Sequence, residues 1–305
     1  MSPGKGMPMT LTFSTLLVLI LMGAAAGGVG ALTGIGGGAV VVPVLVLGYG
    51  VSFRSAVAVS LAAVIANSAA GSAAYLRQGL THKRLAFNLE VTTTIGGILG
   101  SLVTAFIPRP ALEGIFGLSQ FLSAELTRRR KRLPSAANAL ATAEIPPDAL
   151  SRHGLRACEG RDGLTGLVAD ETDGTARAYR ARRPLLGAGA SMVAGMLSGM
   201  LGIGGGFLKV PAMTVGMGVP VRVATATSQF MIGITAVASF VVYFAAGVVQ
   251  PLLVAPIVLG ITTGSLLGSR LSGRLSVGTI EAVYSSVVLA SGLSFVLGAF
   301  GVIHV

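Results

Sequence analysis

Apolar runs separated by glycine, proline or short basic stretches divide the chain into ten segments. They lie at about 10–33, 38–49, 55–76, 85–107 and 111–126, then at 184–202, 207–218, 223–248, 251–270 and 279–301. Most approach or exceed the roughly 20 residues that an α-helix needs to cross a bilayer. None alternates polar with apolar residues as a membrane β-strand does. The second segment of each group is only about a dozen residues long, which suits a broken or re-entrant helix covered by the rest of the protein. The pattern predicts an all-α polytopic membrane protein. Two membrane repeats, 10–126 and 184–301, each hold about five membrane-entering helical segments and flank a basic connector, 127–183.

The two groups are copies. Gly34-Ile35-Gly36-Gly37-Gly38, followed by Pro43, returns as Gly202-Ile203-Gly204-Gly205-Gly206, followed by Pro211, a shift of 168 (202 − 34). The same shift pairs Arg54 with Arg222, Ser60 with Ser228, Tyr75 with Tyr243 and Gly100-Ser101 with Gly268-Ser269. From 34 to 101, 23 of 68 positions are identical to their counterparts. Glycine-interrupted hydrophobic segments at matching places in two halves are the sequence pointer to the binding site of a secondary transporter.

Charge distribution sharpens the topology. Only 11% of residues are charged and 52% are hydrophobic, whereas a soluble domain carries roughly a quarter charged residues. The net charge of +11 sits mainly in a few loops, so it reads as a topology signal and not as a nucleic-acid surface. The connector, opening with Arg128-Arg129-Arg130-Lys131-Arg132, and the loop holding Arg77, Lys83 and Arg84 are predicted to be cytoplasmic. The matching loop Gly247–Pro251 carries no charge and reads as external. Matched loops on opposite faces define an inverted repeat, with five segments per half and both termini outside. Arg54 on the external face runs against the positive-inside rule. Residues 1–33 read as a retained first membrane helix, since the apolar run is too long for a signal sequence and leads straight into the glycine motif.

The connector holds the lone Cys158, so no internal disulfide framework exists. It also holds a hairpin pattern: Leu167-Val168-Ala169, an Asp173-Gly174 turn, then Ala176–Ala181.

Candidate chemistry centres on the glycine breaks. Gly34, Gly36, Gly37 and Gly38, with their counterparts Gly202, Gly204, Gly205 and Gly206, let the backbone adopt positive φ and leave N–H groups free at the start of a helix. Two such breaks near the midplane form a small electropositive pocket suited to an oxyanion; the competing reading is close helix packing. Pro43 and Pro211 mark the short segments that follow. Lys209, which replaces the counterpart Val41, stands in an apolar segment and must have a partner or a cavity. Ser60, Thr227, Ser228 and Gln229 on the third segments supply hydroxyls and an amide within reach of such a pocket. Glu90, Glu113 and Glu281 lie near predicted segment ends and read as solvated interface positions; of the three, Glu90 is deep enough to serve proton coupling.

The doubled Gly-Ile-Gly-Gly-Gly-x4-Pro resembles the motif of the TauE/SafE sulfite-exporter family. The second copy, Ser198 to Pro211, and the following Ala224-Thr225-Ala226-Thr227-Ser228 carry the resemblance best. The first departs from it at Ala58-Val59-Ser60, where Val59 replaces threonine. The resemblance covers roughly 20–125 and 184–300. It implies a multi-pass protein of the prokaryotic cytoplasmic membrane that moves sulfite, sulfonates or related small anions, with export favoured.

The partners this reading implies are a small anion, the lipid bilayer and a coupling ion, H+ or Na+; no cofactor and no nucleic acid enter it. No G-x-x-x-x-G-K-[ST] motif is present. An anion channel using the same pocket is the first rival. An intramembrane enzyme is a remote one, because His82, His153 and His304 lie in loops or at the tail.

Overall fold

The computed structural model describes residues 13–34, 36–132, 144–145, 164–169, 176–271 and 277–299. The first half comprises α1 (Phe13–Thr33), the short α2 (Gly38–Pro43) continued by a π-helical turn (Val44–Gly48), α3 (Phe53–Arg77), α4 (Lys83–Val103) and α5 (Arg109–Arg132). The second half repeats the order. It holds α6 (Pro184–Leu201), α7 (Gly206–Pro211) with its π-helical turn (Ala212–Gly216), α8 (Val221–Ala245), α9 (Pro251–Leu271) and α10 (Val277–Ala299). The fold is an all-α polytopic membrane protein, as the apolar pattern predicts. Among the described residues, six helices are long and apolar enough to cross a bilayer: α1, α3, α4, α6, α8 and α9.

Both short helices carry their proline at the last position before the π turn. Proline has no N–H to continue the i→i−4 ladder, and the widened turn after it absorbs the interruption. The outer faces are apolar. Leu17 and Leu21 on α1, Val91, Ile95 and Leu102 on α4, and Val237, Val241 and Phe244 on α8 are exposed. Buried positions in contrast include Ser60, Asn67, Glu90, Thr93, Ser198, Lys209, Gln229 and Thr235. Apolar outside and polar inside is the distribution a lipid solvent demands.

Helices pack through glycine, and the repeat relates the contacts. A Cβ on Gly264 of α9 would overlap the backbone carbonyl of Ala24 on α1; a Cβ on the counterpart Gly96 of α4 would overlap the carbonyl of Met192 on α6. Further along, Gly268 meets Gly28 just as Gly100 meets Met196, so α1 runs parallel to α9 and α4 parallel to α6. Each half therefore lends one helix to the other. At the centre, α3 and α8 occupy the same place in the two repeats and run antiparallel. A Cβ on Gly71 would meet Gln229, four residues before Gly233, whereas one on Gly233 would meet Ser68, three residues before Gly71. Gly264→Val wedges α1 from α9 and is expected to cost about 1–3 kcal/mol by overpacking. Gly189→Ala, whose added Cβ meets nothing within 4 Å, is expected to be neutral or slightly stabilising; thermal unfolding in detergent separates the two.

The connector contributes a three-stranded antiparallel sheet ordered β1-β3-β2, where β1 is Glu144–Ile145, β2 Thr165–Ala169 and β3 Ala176–Arg180. Thr165 opposes Arg180 and Ala169 opposes Ala176, which is the predicted hairpin; Asp173-Gly174 and Cys158 lie outside the described residues. The sheet sits against the α3–α4 loop. The His82 ring nitrogen Nε2 is 3.2 Å from the Thr165 carbonyl, and its ring meets Tyr179 edge-on. The Arg182 N–H donates to the Met217 carbonyl at the end of the second π turn. Connector, α3–α4 loop and Met217 thus share one face of the molecule.

Candidate functional site

The glycine breaks adopt the conformation that only glycine takes readily. Gly34, Gly36 and Gly37 have φ of 73°, 101° and 73°; Gly202, Gly204 and Gly205 have 69°, 92° and 69°. Gly37 and Gly205 cap α2 and α7 without a side-chain acceptor, so no side chain occupies the amides of the first turn. All of these glycines are buried.

The two breaks touch each other. A Cβ on Gly38 would fall onto the Gly202 carbonyl oxygen, and one on Gly36 would lie 3.5 Å from the Ile203 carbonyl. Ser60, fully buried on α3, pins the contact: its hydroxyl donates to the Gly202 carbonyl at 2.8 Å and lies 3.4 Å from the Gly38 carbonyl. Its one proton is therefore committed to protein. Most other Ser and Thr hydroxyls, such as Thr93, Ser101, Thr104 and Ser119, bond carbonyls of their own helix.

Beside the breaks lie polar groups with no protein partner. Gln229 Nε2 donates to the Asn67 carbonyl at 3.1 Å, and the Ser68 hydroxyl donates to the Gln229 carbonyl, clamping α3 to α8. The Asn67 side-chain amide, Gln229 Oε1 and Ser228 Oγ are buried and make no hydrogen bond among the described residues. Asn67 Nδ2 and the Gly37 nitrogen lie 2.9 and 2.6 Å from the point a Cβ on Gly30 would occupy, so the Asn67 amide borders the first break. A buried polar group left dry costs about 1–3 kcal/mol, so a cluster of them points to water or a ligand.

The two repeat-related places differ in charge: one holds Lys209 and Glu90, the other Val41 and Val258. Lys209 is fully buried on α7, one turn past its break. Its Nζ donates to the Thr235 hydroxyl at 3.2 Å and lies 3.8 Å from Glu90 Oε2 on α4. The Thr235 hydroxyl donates to Glu90 Oε1 at 2.6 Å, and the Thr94 hydroxyl donates to the same oxygen at 3.1 Å. By the 168-residue shift Lys209 and Thr235 correspond to Val41 and Asn67 in the first half, and Glu90 corresponds to Val258 in the second.

The remaining candidates fall as follows. Pro43 is buried and Pro211 half-buried at the exits of the short helices. Thr227 accepts the His82 N–H at 3.1 Å and so anchors the α3–α4 loop. Glu90 is not a solvated interface residue: α6 and α8 cover it, and Lys209 is its counter-ion. Glu113 is buried and paired with Arg109 at 2.6 Å; the Glu281 side chain lies outside the described residues. Arg54 donates to the carbonyls of Thr104 and Ala105 beyond the end of α4, a local task that explains a basic residue on that face. Sequence reasoning missed Thr235 and the Glu90–Lys209 pair. The available signal was the repeat itself, which replaces Val41 and Val258 by Lys209 and Glu90 together.

The family model "Sulfite exporter TauE/SafE" matches residues 19–295, which covers both glycine breaks and both halves. The chain belongs to the TauE/SafE family. It is thus a multi-pass membrane transporter of that family. Curated relatives agree along nearly their whole length. "Probable membrane transporter protein YunE" of Bacillus subtilis (strain 168) is 25% identical, with 92% of this chain and 97% of the relative aligned. A "Probable membrane transporter protein" of Xylella fastidiosa (strain 9a5c) is 26% identical over 92% of this chain and 94% of its own. "Probable membrane transporter protein YdhB" of Bacillus subtilis is 24% identical over 85% and 90%. No solved structure matches the chain.

The site separates hydroxyls bonded within the protein from those without a partner among the described residues. Ser60→Ala strands the Gly202 carbonyl and is expected to lower stability by about 1–3 kcal/mol. Ser228→Ala removes a hydroxyl with no partner among the described residues, so its expected effect in thermal unfolding is small.

Proposed function

We propose that this TauE/SafE member is a secondary transporter that carries a small sulfur-containing oxyanion or organic anion across the cytoplasmic membrane. The observation that carries the reading is the contact of the two glycine breaks, together with the unpartnered Asn67 side-chain amide, Ser228 Oγ and Gln229 Oε1 and the buried Lys209. Positive charge without bulk, backbone amides and neutral hydrogen-bonding groups are what a small oxyanion needs.

The halves act as an inverted repeat. Equivalent helices α3 and α8 are long enough to span and run antiparallel, which supports a twofold axis in the membrane plane. The connector and the α3–α4 loop, both basic in sequence, share a face, which supports a cytoplasmic connector with both termini outside. In this reading the bundles rock about the breaks and expose the anion to each side in turn.

Counterflow in proteoliposomes tests the proposal. Vesicles preloaded with sulfite, thiosulfate, sulfoacetate or methanesulfonate should take up the same radiolabelled anion faster than empty vesicles, and chloride or acetate preloading should not substitute. Equal uptake by loaded and empty vesicles for every sulfur anion contradicts the carrier reading. Currents far above carrier turnover would place the protein with channels.

A further inference from the structure

Glu90 and Lys209 differ from a structural ion pair such as Arg109–Glu113, whose arginine is half exposed and whose charges meet at 2.6 Å. Here both side chains are buried, the charges stand 3.8 Å apart, and both ends are under-coordinated. Glu90 Oε1 accepts from Thr235 and Thr94, while Oε2 makes no hydrogen bond. Lys209 Nζ uses one of its three N–H donors, on Thr235. A proton can therefore lodge on Oε2 without breaking any hydrogen bond, and the ammonium has two donors ready for another acceptor.

Among the described residues, the other charges on the helices packed around the pair are exposed or paired elsewhere: α5, which packs against α7, carries Glu113 paired with Arg109 and Glu125 paired with Arg128. On α4 itself, Lys83 and Arg84 are exposed at its first turn. Helix α6 carries no ionisable side chain. Helix α8 carries Arg222, at its exposed first turn, and Tyr243, whose phenol lies 3.2 Å from the Thr104 hydroxyl and donates to the Gly199 carbonyl. On α7 the charged residue is Lys209 alone.

We infer that Glu90 and Lys209 form the proton-coupling site: a proton taken up on Glu90 Oε2 frees the Lys209 ammonium from its internal counter-ion, and the transported anion takes the carboxylate's place. The inference rests on the anion-transport reading above. Charge conservation in a dry site drives the exchange. Lys209 with both anions leaves one negative charge in excess, and Lys209 with neither leaves a buried positive charge; either costs several kcal/mol. With a singly charged anion, protonation and anion entry together keep the site neutral at each stage, and the ammonium keeps all its protons. Lys209 lies on the turn that begins at the break, its N–H bonded to the Gly205 carbonyl at 3.2 Å, so the freed charge is already at the proposed anion site. Because the repeat-related positions are Val41 and Asn67 in the first half and Val258 in the second, the described residues hold one such site, which moves one proton per cycle.

The test uses anions of fixed charge near neutral pH, so that any pH linkage belongs to the protein: methanesulfonate, sulfoacetate and thiosulfate. With methanesulfonate, an acid gradient of about one pH unit is expected to drive roughly tenfold accumulation in wild-type vesicles, accompanied by proton movement read by a trapped pH dye. In Glu90→Gln the steady-state ratio is expected to fall to about one, whatever the exchange rate. Independently of any variant's folding, adding anion to purified wild-type protein in weak buffer should take up protons and produce a protonated-carboxyl infrared band. Gradient-driven accumulation by Glu90→Gln, or anion binding without proton uptake in the wild type, overturns the coupling site and leaves the transport reading standing. Failure of every sulfur anion to bind or exchange removes the transport reading, and this inference with it.

Discussion

Gly38→Ala lowers thermal stability in detergent and reduces anion exchange by at least tenfold, although it adds one methyl group. The methyl would overlap the Gly202 carbonyl oxygen and come within 2.7 Å of Ser60 Oγ and 3.0 Å of Val64 Cγ2. Serine and valine side chains can rotate, but a carbonyl held inside the opposite break cannot. Relief requires the two breaks to separate, which also stretches the hydrogen bond from Ser60 to Gly202. Overpacking of this kind costs about 1–3 kcal/mol. The functional loss is expected to exceed what stability explains, because the contact being prised apart is the proposed anion site. A Gly38→Ala protein with unaltered melting and exchange would show that the breaks do not meet.

Lys209→Val is the second large effect. It leaves the Glu90 carboxylate buried without its counter-ion, and breaking a buried pair from one side costs about 3–5 kcal/mol. The double variant Glu90→Val/Lys209→Val installs the residues of the repeat-related positions, Val258 and Val41, and is expected to recover most of that loss. Thermal unfolding of both singles and the double closes a double-mutant cycle, with an expected coupling of at least about 2 kcal/mol. The stable double should nevertheless lack anion exchange, because Lys209 is absent. Additive losses would mean that the two side chains do not interact. Glu90→Gln, which keeps a hydrogen-bonding side chain of similar size but leaves Lys209 charged, should be unstable alone and restored by saturating anion.

Much of the fold was legible because membrane helices announce themselves by length and apolarity and because the chain repeats. The short segments 38–49 and 207–218 were readable as broken helices from Pro43, Pro211 and the glycines before them, and each ends in a π turn. The hairpin 165–180 was readable from its turn chemistry. Glu90 was misplaced because hydropathy ranks a residue by its distance from the segment end, whereas burial depends on which helices cover it; α6 and α8 do so here. Asn67 and Ser60 carry no periodicity to separate them. Only three-dimensional contacts show that Ser60 spends its proton on Gly202 while the Asn67 amide has no partner. Thr227 stood beside Ser228 in sequence, yet one helical step turns it toward His82 and the α3–α4 loop.

The central claim is that the paired glycine breaks hold the anion. It is tested most directly by locating a heavy oxyanion: selenite, the selenium analogue of sulfite, soaked into crystals and found by its anomalous scattering. The account predicts one selenium peak per chain between Gly36–Gly38 and Gly204–Gly206, within hydrogen-bonding reach of Lys209 and lost in Lys209→Val. A peak elsewhere, or none at the breaks when solution binding is saturated, would contradict it.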